Sequence, residues 1–261
     1  MRKVLNKSAK TSRTCNELSC KDILGTLMNN CLVAVLDIMG FSNFIEKNSN
    51  QGGMQRMSAL LHTIQSIVSH VDLYSKKPRR NASSFVKKKM VVFWFSDTVI
   101  MMLPKTSSKK DNIEFVTAVK DTALAMFKEG LPVRGCIDYG DCLYNKHCNF
   151  LLGLPFINAH RESEKLCFSG LVITDEALKV VNDGHNISGV VVLKVPIKGI
   201  GKVVKESRNC IQWCDEDDLL KDEIYRSFSD HDKSVDDRGW ELINNTHEVL
   251  RMFKHSQNGV N

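Results

Sequence analysis

Cys31-Leu32-Val33-Ala34-Val35-Leu36-Asp37 is a continuous apolar run that ends abruptly on a carboxylate, with Gly40 close behind. A short Val/Leu-rich run of this kind predicts a strand buried on both faces. A second stretch has the same grammar. Met90-Val91-Val92-Phe93-Trp94-Phe95 is apolar, Ser96-Asp97 breaks it, and Thr98 to Leu103 is apolar again. Two strands around a two-residue polar break predict a β-hairpin with Asp97 in its turn.

Working outward, residues 15–29 predict a short helix with Leu18, Ile23, Leu24 and Leu27 on its apolar side. Residues 54–74 predict an amphipathic helix, with Met57, Leu60, Leu61, Ile64, Val68 and Val71 at helical spacing. Residues 75–89 are polar and basic and read as a loop. A helix over 112–128 places Ile113, Phe115, Val116, Val119, Ala123 and Met126 as core candidates. Val133 to Tyr139 predicts a strand closed by a turn at Gly140-Asp141. A further strand leads to Gly153, and a helix starts near Pro155. Strands at Leu171–Thr174, Val190–Val195 and Cys210–Trp213, a short helix to Val181 and a final helix over 237–254 complete the pattern. Alternating strands and helices with a hairpin among them imply an α/β fold, an α+β sandwich with helices packed on a mostly antiparallel sheet.

Composition bounds the rest. The chain has 261 residues, 43% hydrophobic and 25% charged, with a net charge of +6 and a pI near 8.8. That is enough for one well-packed domain over 15–261 with helical additions at both ends, preceded by a disordered basic tail over 1–14. The basic excess sits in short runs, Lys76-Lys77-Pro78-Arg79-Arg80 and Lys87-Lys88-Lys89 among them, which read as solvated segments. No aromatic-and-basic motif supports nucleic-acid binding. No apolar run approaches the roughly 20 residues of a membrane span, and the basic N-terminus lacks a secretory apolar region. The nine cysteines show no paired C-x-x-C spacing, which argues against zinc and for reduced thiols in a cytoplasmic protein.

Asp37 and Asp97 are the residues that carry chemistry. Two carboxylates at adjacent strand ends can hold hard divalent cations. Either alone would pass for a turn cap. In context, Leu36-Asp37-Ile38-Met39-Gly40-Phe41 resembles the first metal motif of class III nucleotide cyclases, and Phe95-Ser96-Asp97-Thr98 resembles the second, where many members have Gly-Asp. Arg134-Gly135-Cys136-Ile137 with Gly140-Asp141, Gly153 to Arg161, and Lys198-Gly199 resemble later family segments, so the likeness spans about residues 31–213.

The resemblance implies the class III cyclase catalytic fold and a homodimer with active sites at its interface. Asp37, Asp97 and the Ile38 carbonyl would hold two Mg²⁺ or Mn²⁺ ions. Arg161 of the partner would stabilise charge at phosphorus, and Lys198 or Lys202 would bind the triphosphate. There are departures. Many members have Asn four residues after the helix-start glycine; here Ile157 stands there, and Asn158 lies one residue late, turned by about 100°. Phe93 replaces a purine-reading lysine four residues before Asp97, and Phe150 replaces a polar residue three before Gly153. These losses, with the Phe-Ser-Asp-Thr form, are similar to the bacterial Pycsar antiphage cyclases, which implies a uridylate or cytidylate cyclase with UTP favoured over CTP. The alternatives are a purine cyclase, adenylate or guanylate, and an inactive cyclase-like domain that binds nucleotide or a partner.

Overall fold

The computed structural model describes residues 26–47, 55, 58–67, 90–104, 108–145, 150–182, 189–214 and 237–258. The basic tail over 1–14, the loop over 75–89 and Phe-flanking residues 146–149 lie outside them, as does most of the helix expected over 15–29.

In chain order the elements are β1 (Thr26–Ile38), α1 (Phe41–Lys47), α2 (residues 58–67), β2 (Val91–Phe95), β3 (Thr98–Leu103), α3 (Lys109–Lys128), β4 (Val133–Asn145), β5 (Phe150–Leu152), α4 (Leu154–Lys165), β6 (Gly170–Ile173), α5 (Asp175–Asn182), β7 (Val190–Lys198), β8 (Val203–Ile211) and α6 (Asp237–Asn258). The eight strands form one sheet in the order β2-β3-β1-β4-β6-β8-β7, with β5 on β4. Among the described residues only the β4–β6 pair is parallel; the other strand pairs are antiparallel. The fold is thus α/β with a mostly antiparallel sheet. No helix among the described residues is long and apolar enough to cross a membrane.

β1 is apolar throughout its centre because both its faces are covered. Leu32, Ala34, Leu36 and Ile38 pack with Phe115, Val119 and Met126 of α3. Cys31, Val33 and Val35 point the other way, Val35 towards Ala159 of α4 and Phe253 of α6. α3 starts where the Ser108 hydroxyl accepts the Asp111 N–H at 3.2 Å, which satisfies one of the first-turn donors.

Several expectations are corrected. Thr26–Asn30 is strand and not the end of a helix, because it pairs with Leu143 and Tyr144 of β4. β4 does not stop at Gly140-Asp141. Gly140 stays in the ladder opposite Cys31, a register shift between Met28 and Cys31 sets Asn29 and Asn30 against Asp141 alone, and the Asp141 carboxylate accepts the Asn30 N–H at 2.9 Å. The last strand begins at Val203, not Cys210, because it pairs along its length with β7. Ile113 and Leu61 are on exposed helix faces, while Phe127 and Ile67 are buried in their stead. Met57, Val68 and Val71 lie outside the described residues.

Candidate active site

The C-terminal end of β1 and the β2–β3 turn meet at the base of the sheet. Asp37 lies opposite Thr98 on β3 and opposite Arg134 on β4. One residue on, the Ile38 N–H donates to the Asp97 carbonyl at 2.9 Å. That hydrogen bond ties the hairpin turn to the end of β1, so two carboxylates from distant parts of the sequence stand on adjacent backbone.

Their environments differ. Asp37 is only 8% exposed, and Asp97 is half-buried. Burial holds the Asp37 carboxyl above the ordinary aspartate range; Arg134 pulls against that, the nearby Asp97 charge adds to it, and His160 opposes it weakly. Arg134 grips one oxygen: its Nε and Nη2 both lie 2.7 Å from Oδ2 of Asp37. Its Nη1 donates to the Glu164 carbonyl at 3.2 Å, at the end of α4. Both contacts to Asp37 fall on Oδ2, which leaves Oδ1 for another ligand.

The donor set suits a hard cation. Asp37, Asp97 and the Ile38 carbonyl supply oxygen only, and a cation would offset the cost of burying an ionised Asp37. Among the described residues no cluster of three or more His, Cys, Asp or Glu could form an all-protein cage. Such a cation would therefore share its coordination with substrate oxygens or water, as Mg²⁺ sites commonly do.

The turn that carries Asp97 is itself unusual. Phe95 pairs with Thr98 across a two-residue loop, and Ser96 in its first position has φ +56°. The Trp94 indole N–H donates to the Ser96 carbonyl.

The remaining sequence-derived residues lie on α4, at the β7–β8 hairpin and on β2 and β5. α4 opens at Gly153, where an added Cβ would lie 2.6 Å from the Asp141 carbonyl, so only glycine fits. Asn158 and Arg161 are exposed on α4, three positions apart and hence on one face; neither forms an ion pair or hydrogen bond with Asp37 or Asp97 among the described residues. Ile157 is half-buried. Lys198 and Lys202 are exposed at the β7–β8 hairpin, where the Gly199 N–H donates to the Lys202 carbonyl at 2.7 Å. Between that hairpin and β1 lie β4 and β6, and β7, which ends at Lys198, is four strand spacings from β1, roughly 19 Å along the sheet at ~4.8 Å per strand. Phe93 stacks on Tyr144, with ring centres 6.0 Å apart, and joins a cluster that includes Leu151. Phe150, adjacent to Leu151 on β5, is 46% exposed and outside that cluster.

Two site residues were not legible from sequence spacing. Arg134 reaches Asp37 only because β1 and β4 pair in this register. His160 acts electrostatically on Asp37 and has its Nδ1 3.4 Å from Glu164 Oε2. The sole signal for either was its place inside a family-like segment.

No protein-family model matches the chain, and no curated protein matches it. Solved structures do. The chain is similar to the guanylyl cyclase Cya2 at 12% identity and TM-score 0.49, over 72% of this chain and 93% of that one. It is similar to the catalytic core of a rhodopsin-guanylyl cyclase with converted specificity, in complex with ATPαS, at 13% identity and TM-score 0.44, over 72% and 97%. An adenylate cyclase from Trypanosoma brucei, in its monomeric state, is 12% identical with TM-score 0.43, over 69% and 87%.

Proposed function

We propose that the chain is a nucleotide cyclase that converts a pyrimidine nucleoside triphosphate, UTP in preference to CTP, to its 3′,5′-cyclic monophosphate and pyrophosphate. The observation that carries this reading is the juxtaposition of buried Asp37 with Asp97, joined by the Ile38–Asp97 backbone hydrogen bond. It supports the reading because the two segments that resemble class III cyclase metal motifs contribute these two carboxylates.

In this reading Asp37, Asp97 and the Ile38 carbonyl hold two Mg²⁺ or Mn²⁺ ions. Bound there, the ions would acidify a ribose hydroxyl and neutralise triphosphate oxygens. The ribose 3′-oxygen forms a bond to the α-phosphorus, the bond to the β-phosphate oxygen breaks, pyrophosphate leaves and the hydroxyl proton passes to solvent. Arg134 fixes the Asp37 carboxylate through Oδ2. In one chain Arg161 and Asn158 form no ion pair or hydrogen bond with the aspartates among the described residues, and Lys198 and Lys202 sit at the distant β7–β8 hairpin. They fit a homodimer in which the partner's Arg161 stabilises charge at phosphorus and its lysines hold the triphosphate. Phe93 and Phe150 offer no hydrogen bond to a purine edge, which favours the smaller base. The Phe-Ser-Asp-Thr form suggests a second-messenger synthase of antiphage defence in the cytoplasm.

A second reading has its own observation. Ile157 occupies the position where the family has its transition-state asparagine, which favours a domain that binds nucleotide without turning it over. Purified protein incubated with each of the four NTPs and Mn²⁺, with products identified by mass spectrometry, tests both of these and the purine-cyclase alternative. Cyclic UMP or cyclic CMP as main product is the expected result. Cyclic AMP or cyclic GMP would replace the pyrimidine assignment, and no cyclic product from any NTP would leave the binding domain.

A further inference from the structure

A two-residue hairpin loop with positive φ at its first position alone has the pattern of a type II′ turn, which is dominated there by glycine. Between Phe95 and Thr98 the first position is Ser96, with φ +56°. A side chain in this region crowds its own backbone, and a residue so placed persists only where the surroundings over-determine it. Here they do. The β2–β3 pairing fixes both ends of the loop, and the Trp94 indole N–H holds the Ser96 carbonyl. The serine side chain gives nothing visible in return, because its hydroxyl bonds no other described residue. Ser96 is exposed and immediately precedes Asp97. Strained residues of this kind cluster at ligand sites.

We infer that Ser96 is a substrate-contacting residue, its hydroxyl donating to a phosphate oxygen of the nucleoside triphosphate that Asp97 helps to hold. This rests on the cyclase-site reading above and adds a residue to it. A triphosphate oxygen is the acceptor that a cation-binding carboxylate would bring to this turn. A hydroxyl donor beside that carboxylate contributes without adding a charge.

The test uses Ser96→Gly and Ser96→Ala in the full chain, with two readouts that move in opposite directions. One is thermal stability without ligand. The other is affinity, with Mn²⁺, for the 3′-deoxy analogue of each of the four NTPs, which binds but lacks the attacking hydroxyl. Glycine relieves the backbone and is expected to raise the melting temperature by about 2–4 °C, while alanine does not. Both variants lose the donor and are expected to bind the analogue about tenfold or more weakly, as for the loss of a hydrogen bond to a charged group. A strained turn with only a structural role would give a more stable Gly variant with unchanged affinity in both, and that result overturns the inference. If wild-type protein binds none of the analogues, the reading of the site falls first and this inference with it. Normal wild-type binding retained in both variants removes Ser96 alone.

Discussion

Asp37 shows how one residue can be costly and useful together. It is 8% exposed, gripped on Oδ2 by Arg134 and close to a second carboxylate. We expect Asp37→Ala and Asp97→Ala each to abolish cyclic-nucleotide formation while far-UV circular dichroism stays native; near-normal turnover in either variant would remove the metal assignment. The raised pKa of Asp37 also has a sign that can be checked. A carboxyl whose folded pKa exceeds its unfolded one binds its proton more tightly when folded. Its stabilising contribution is then complete below the unfolded value, ~3.9, and is lost as pH rises through the folded value. In EDTA, urea titrations of wild type and Asp37→Asn should therefore diverge from about pH 4 upward, with the Asn variant gaining relative to wild type. A constant difference across that range would contradict the shift. The two aspartates were legible in the sequence because each ends a strongly apolar run. Arg134 was not, because nothing local states which residue of β4 faces position 37; only the register does.

At the scale of elements, the close approach of strands at Gly135 is a sharp constraint. A Cβ there would lie 2.5 Å from Leu36 Cδ2, 2.7 Å from Leu171 Cδ2 and 3.0 Å from the Val35 carbonyl. The two methyls can yield but the carbonyl cannot, so Gly135→Ala should cost about 1–3 kcal/mol, as overpacking does. Chemical denaturation measures this, and a variant as stable as wild type would show that the β1–β4–β6 spacing is looser than it stands. The central strands were readable because burial on both faces leaves no room for polar residues. The outer ones were not. β8 runs through Lys205-Glu206-Ser207-Arg208-Asn209 and is a strand by virtue of pairing with β7 and β6, not of its composition. The Gly140-Asp141 pair carries a turn signature, yet Asp141 spends its carboxylate on the Asn30 N–H beside a register shift, and the strand continues.

At the scale of the whole molecule, a shared site predicts complementation. If Arg161 serves the aspartates of a second copy, mixing inactive Asp97→Ala and Arg161→Ala subunits should return up to about a quarter of wild-type activity, since half the dimers are mixed and each keeps one intact site. Proven subunit exchange with no recovery would count against that geometry. A different global property follows from the placement of sulfur. Cys31, Cys136, Cys142, Cys167, Cys210 and Cys214 are all buried. Burial raises the Cys136 thiol well above its ordinary value and pushes Cys210 up to about 12. Alkylation requires an accessible thiolate, so the folded protein shields these positions chemically as well as sterically. Where reclosing is faster than alkylation, their labelling rate tracks the equilibrium population of opened molecules. Peptide mapping after iodoacetamide should find Cys136 and Cys210 modified in parallel as urea approaches the unfolding midpoint and protected well below it. The sheet thus carries its own clock for unfolding, readable without any added probe.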